Sequence, residues 1–69
     1  MRFGKMLEVR RVTLDMTQQE VADAIGVNVS TIGRWERGDN KPMKALHKIL
    51  AKVLKFDELI VEEVSSEEE

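Results

Sequence analysis

A chain of 69 residues without cysteine has room for one small domain, which must hold together without disulfides or thiolate-bound metal. No apolar run is long enough to cross a membrane and the N-terminus lacks a signal-peptide core, so the chain reads as soluble and intracellular. The net charge of −2 conceals a split: residues 1–56 carry all eleven Lys and Arg against six acids, while residues 57–69 carry seven acids and no base. A basic body with an acidic end is suited to approach a polyanion, whatever the overall charge.

The elements are predominantly helical. Phe3, Met6 or Leu7, and Leu14 recur at helical spacing, which predicts a first helix from Arg2 to about Thr13. Thr17-Gln18-Gln19-Glu20 is a capping box, in which hydroxyl and carboxylate can each bond the other's backbone amide. The second helix is predicted to reach Ile25, with Val21, Ala22 and Ile25 inward and Gly26 supplying a left-handed exit. Asn28 is suited to cap a third helix of about nine residues, closed by Gly38. Pro42 suits the entry of a fourth helix, because it has no N–H to leave unpaired. Leu46, Ile49, Leu50, Val53 and Leu54 form its apolar stripe, with Lys44, Lys48, Lys52 and Lys55 opposite. Asp57 can cap a last short helix through Leu59 and Ile60. The fold class expected is all-α, a compact bundle of about five short helices over residues 1–61. The acidic end, residues 62–69, has little to bury and is expected to be disordered.

Helices two and three with the Gly26 turn make a helix-turn-helix. Ile32 and Trp35 lie three apart and face the core, which leaves Val29, Ser30, Gly33, Arg34 and Arg37 outward. Small residues near the start and cations further along suit a DNA major groove. A helix start with free N–H groups favours a phosphate. Arg34 can donate two hydrogen bonds to a guanine edge, Val29 can meet a thymine methyl, and Ser30 discriminates weakly. Gly33 costs up to about 1 kcal/mol in a helix interior, which suggests close approach by DNA or by another helix.

The stretch Thr17 to Pro42, "TQQEVADAIGVNVSTIGRWERGDNKP", with Arg11 seven residues before Gln18, resembles the phage repressor and Cro (XRE) family of helix-turn-helix domains, and the likeness runs from about Phe3 to Ile60. The resemblance implies a lambda repressor-like bundle that binds double-stranded DNA. It implies that Gln18 binds a phosphate and braces the recognition helix, and that Asn28, Val29, Ser30 and Arg34 approach phosphate or bases. The loop from Asp39 to Lys44 would track the backbone, and Arg11 and Glu36 would pair inside the domain. The chain departs from the family pattern in two places. Asp39 and Asn40 stand in the loop where many relatives place a base or a polar phosphate contact, so Asp39 weakens that anchor, and Gly33 removes one base-reading side chain.

Plainer readings exist for most of these residues. Gln18 and Arg34 also suit a solvated surface, but with the motif in register the DNA roles are preferred. Arg37 equally suits the helix C-terminus. Of the lysine row only Lys44, with Lys41 before it, lies on the presumed DNA side. Trp35 is read as core and His47 as an ordinary surface residue. No nucleophile has an organised base, so no enzymatic activity, metal or cofactor is expected. Leu59, Ile60, Val61 and Val64 exceed what a small core needs and are the candidate homodimer surface. The reading is a cytoplasmic, sequence-specific transcriptional regulator acting as a repressor. Its alternatives are an antitoxin that also binds a toxin, and a protein-interaction module on the same fold. The acidic end has a sharper alternative of its own, folding back on the basic face to compete with DNA.

Overall fold

The computed structural model describes residues 3–56. Four α-helices follow in order: α1 (Phe3–Thr13), α2 (Gln18–Ile25), α3 (Val29–Arg37) and α4 (His47–Leu54), the last preceded by a 3-10 turn at Lys44–Leu46. Among the described residues there is no strand. The fifth helix expected at Asp57, the candidate dimer residues Leu59, Ile60, Val61 and Val64, and the boundary of the acidic end lie outside the described residues.

Local chemistry sets most of the helix ends. The Thr17 hydroxyl accepts from the Glu20 amide at 3.0 Å, and the Glu20 carboxylate accepts from the Thr17 amide at 2.8 Å. Two donors otherwise orphaned at the start of α2 are thus satisfied within one turn of chain. At the other end Gly26 adopts φ 90°, and its N–H returns to the Ala22 carbonyl. The chain can therefore reverse without a Cβ penalty and begin α3 three residues later. Asn28 Oδ1 caps α3 by accepting from the Ser30 amide at 2.9 Å. Gly38 closes α3 at φ 82°.

The core draws on all four helices: Phe3 and Leu7; Val21, Ala22 and Ile25; Ile32 and Trp35; Leu50, Ala51 and Leu54. α3 packs against both α1 and α2, while α4 packs against α2 and α1. Arg10 fastens the end of α4 to α1, its Nε donating to the Leu54 carbonyl at 2.9 Å. Its guanidinium also lies 5.9 Å from the centre of the Phe56 ring. This clamp matters because Lys55 closes α4 at φ 60°, a conformation that costs a residue with Cβ about 1–2 kcal/mol.

Two expectations for the fourth helix are corrected. Pro42 does not open it: Pro42 is buried, Met43 is extended, and the α-helix starts only at His47 after the 3-10 turn. The chain needs those residues to cross from the end of α3 to the far side of the core. The buried stripe is His47, Leu50, Ala51 and Leu54, with Leu46, Ile49 and Val53 at its margin. His47 is consequently not a surface residue. It is 8% exposed, with Nε2 placed 3.3 Å from the Pro42 carbonyl and Nδ1 buried without a partner.

The approach of α1 to α3 is close enough to forbid a side chain at Gly4. A Cβ built there would stand 2.5 Å from the Trp35 carbonyl oxygen and 2.7 Å from that of Glu36. Helix propensity alone would make Gly4→Ala stabilising by up to about 1 kcal/mol. The expected outcome is instead a loss of about 1–3 kcal/mol in chemical denaturation, because backbone must move. A gain in stability would show that the two helices are not held at this distance.

Candidate nucleic-acid interface

The outward face of α3 is only as useful as its attachment to the rest of the domain, and that attachment centres on Glu36. Arg11 donates to its carboxylate from Nε at 2.6 Å and from Nη2 at 3.1 Å. Gln18 adds a third bond from Nε2 at 3.0 Å. The remaining Arg11 Nη1 donates to the Met16 carbonyl at 2.9 Å, in the connection between α1 and α2. The Arg11 and Glu36 side chains are 14% and 5% exposed. A carboxylate this buried needs its acceptor sites filled, and a planar two-donor guanidinium fills them with fixed geometry. The bond to Glu36 raises the Arg11 pKa above its ordinary value, against the opposing effect of burial. The guanidinium is therefore held in its charged form.

One of the two carboxamide N–H donors of Gln18 is thus used: the half-buried carboxamide ties the first residue of α2 to the last turn of α3. Asn28 and Ser30 form a local pair at the start of α3, where Asn28 Oδ1 also accepts from the Ser30 hydroxyl at 2.8 Å. Val29 is half-buried and packs against the core, so it divides its side chain between interior and surface. Arg34 is exposed on the outward face. Arg37 is also exposed and donates from Nε to Asp39 Oδ2 at 3.1 Å. Gly33, read from the sequence as an open outward position, is buried. Lys41 is half-buried in the connection after α3, and Lys44 opens the 3-10 turn.

Some of the arrangement has no clear signal in the sequence. The Met16 carbonyl receives Arg11 because Asp15, two residues beyond the end of α1, adopts φ 58° and turns Met16 back towards the helix. The partnership of Arg37 with Asp39 spans Gly38, and a base and an acid two residues apart across a helix-ending glycine could have suggested it. A shallow groove of about 400 Å³ runs beside α3, lined by Val27, Thr31, Trp35, Lys41, Met43 and Leu46. Met43 on its rim is 68% exposed. Among the described residues no three His, Cys, Asp or Glu side chains approach as a metal site would require.

A capped α2, a glycine turn and a capped α3 whose polar face is held outward by a buried ion pair constitute a helix-turn-helix domain. The sequence matches the helix-turn-helix family over residues 7–59, and the chain belongs to this family of DNA-binding domains, in its XRE type. Three relatives bear on the match. The chain is 35% identical over 52 residues to the HTH-type transcriptional regulator DicA of Escherichia coli K12, covering 75% of this chain and 38% of DicA. It is 37% identical over 57 residues to the type II methyltransferase M1.ScrFI of Lactococcus lactis subsp. cremoris, covering 78% of this chain and 14% of that protein. It is 48% identical over 42 residues to the type II methyltransferase M.SsoII of Shigella sonnei, covering 56% of this chain and 11% of that protein. The chain therefore spans well under half the length of each of these relatives. No solved structure matches it significantly. Among the described residues no helix is long and apolar enough to cross a membrane.

The two arginine–carboxylate pairs make a controlled comparison. Arg11→Ala would leave the Glu36 charge buried with only the Gln18 amide and is expected to cost about 3–5 kcal/mol. Arg37→Ala breaks an exposed pair and is expected to stay within about 0.5 kcal/mol of the parent. Urea denaturation of the two variants measures both. Equal effects would mean that the Glu36 network does not organise the fold.

Proposed function

We propose that this chain is a transcriptional regulator of the XRE type that reads duplex DNA through the outward face of α3, acting as a homodimer and as a repressor. The observation that carries the reading is the exposed Arg34 on a helix anchored at both ends, by the Asn28 cap at its start and the Glu36 network in its last turn. An anchored helix presents its side chains in one orientation, so that contacts with base edges do not first require ordering. Arg34 supplies the paired donors that a guanine edge accepts, and Ser30 lies one turn before it. Arg37, Lys41 and Lys44 add phosphate-directed charge, and Asn28 and Gln18 lie at the two helix starts where a phosphate is favoured. The likeness to DicA, named as an HTH-type transcriptional regulator, supports regulation as the use of that binding.

Dimerisation belongs to the proposal because one module reads few base pairs, and paired recognition helices sit about 34–36 Å apart on successive turns of duplex. Leu59, Ile60, Val61 and Val64 are the proposed pairing surface. Occupation of a promoter by such a dimer is the proposed mechanism, with no cofactor and no catalytic step. The acidic residues 62–69 are proposed as a solubilising end to the domain.

A second reading has one specific observation behind it. The groove beside α3 and its exposed Met43 offer apolar surface to a protein, as an antitoxin or an interaction module requires. Selection from a randomised duplex library separates the two. Enrichment of a palindrome with two short half-sites is the expected outcome, and Arg34→Ala is expected to lose about 1–3 kcal/mol on that site and to relax its sequence at one position in each half. Absence of duplex binding at any salt concentration, with capture of a protein that Arg34→Ala still binds, would replace the regulator reading with the interaction module.

A further inference from the structure

Gly33 has none of the usual reasons to be glycine. Gly26 and Gly38 adopt positive φ and Gly4 is pressed against backbone carbonyls, but Gly33 lies inside α3 with ordinary helical φ. The one atom that a Cβ at Gly33 would meet within 4 Å is Nη1 of Arg37, at 3.1 Å. No other helix approaches there. The Arg37 guanidinium lies against this buried glycine, one turn back along the helix from its own Cα. Helical side chains lean towards the N-terminus and meet the residue four positions earlier, and a missing side chain lets the guanidinium settle on the helix itself. Asp39 holds it from the other side, accepting from Nε at 3.1 Å.

We infer that Gly33, Arg37 and Asp39 form a positioning device for the recognition face, a reading that rests on DNA being the ligand. Gly33 and Asp39 are its positioning residues and Arg37 is the residue that contacts nucleic acid. Laid over Gly33, the cation of Arg37 is displaced from the C-terminal end of α3 towards the part that bears Ser30 and Arg34. It takes the surface position that a side chain at 33 would otherwise fill. Asp39 engages only Nε, so Nη1 and Nη2 keep donors for a pair of acceptors outside the protein. The ligand chemistry is thus two adjacent oxygens or an oxygen and a nitrogen, found on a phosphate and on a guanine edge. Asp39 fixes where the donors point, even though its charge opposes the approach of a polyanion.

The test is a double-mutant cycle on the duplex selected by the parent protein. Gly33→Leu places a side chain where Arg37 rests, and Arg37→Ala removes the tenant. Each is expected to weaken binding about tenfold, and the double variant is expected to bind no worse than Arg37→Ala alone. Gly33→Ala, with its smaller intrusion and better helix propensity, should show the same coupling more weakly in a fold at least as stable. Independent losses would mean that residue 33 meets the DNA itself, and would overturn the inference, as would parent-like binding by Gly33→Leu.

Two further readouts separate the roles. If Arg37 meets a phosphate, Arg37→Ala weakens all duplexes alike and lowers the salt slope by about one, whereas contact with guanine changes the preferred base at one position. Asp39→Asn removes a repulsive charge, so a purely electrostatic Asp39 would yield uniformly tighter binding. A positioning Asp39 predicts that the affinity ratio between the selected and a random duplex falls. A nuclear Overhauser contact tests the geometry without DNA: the Arg37 side-chain protons should show one to the Gly33 Hα protons in the parent and lose it in Asp39→Asn. Failure of the parent to bind any duplex would refute the DNA reading alone, while absence of that Arg37–Gly33 contact in the parent would refute the device itself.

Discussion

A single carboxylate organises this domain. Glu36, in the last turn of α3, accepts two bonds from Arg11 of α1 and one from Gln18 at the start of α2, so three helices converge on one buried charge. Arg11 extends the network to the Met16 carbonyl and so includes the connection between α1 and α2. The apolar core supplies the driving force for collapse, but burial of Phe3, Leu7, Ile32 and Leu54 is non-directional and tolerates rotation and sliding. A buried ion pair with fixed donors does not, because any shift leaves charge unsatisfied at low dielectric. The close packing of α1 on the α3 backbone at Gly4 adds a steric limit to the same alignment.

The consequence for function lies on the opposite side of α3. A helix of nine residues has little stability by itself, and its polar face acquires a defined orientation only because its inner face is fastened. Asn28 satisfies the first turn and Gly38 ends the last one, so the helix presents a short, sharply bounded surface. Along that surface the cations are not equivalent. Arg34 is exposed beyond the core contacts, whereas Arg37 is engaged by Asp39 and folded over Gly33. Within a family defined by its fold, differences of this kind in the outer face are what distinguish one member's ligand from another's.

Gly33 and His47 show where reading from sequence stops. A glycine inside a surface helix signals that something comes close, but the identity of the neighbour depends on the rotamer of Arg37, which Asp39 sets from the far side of the helix end. His47 precedes Leu50 and Leu54 by three and seven residues and so falls on their face, yet its burial also depends on how the Pro42 segment packs beside it. The delayed start is a tertiary matter. The chain must cross the end of the domain from α3 to α4, and the buried Pro42 and extended Met43 followed by a 3-10 turn provide the crossing. The groove beside α3 arises from that same path.

What the sequence determined by itself is the set of features decided within one or two turns of chain. The capping box at Thr17, the cap at Asn28, the left-handed exits at Gly26 and Gly38, and the inward spacing of Val21, Ala22, Ile25, Ile32 and Trp35 each rest on contacts or periodicity between near neighbours. They are enough to specify a helix-turn-helix and the side of α3 that faces away from the core. What only the tertiary structure decided is how the parts meet. The crowding at Gly4, the direction in which Gln18 spends its amide, the sharing of Val29 between core and surface, and the burial of His47 all depend on residues far away in the chain. The physical reason is one of range. Caps and turns are short hydrogen bonds between groups the backbone already holds together, whereas packing and buried charge depend on distances that exist only after the helices have docked.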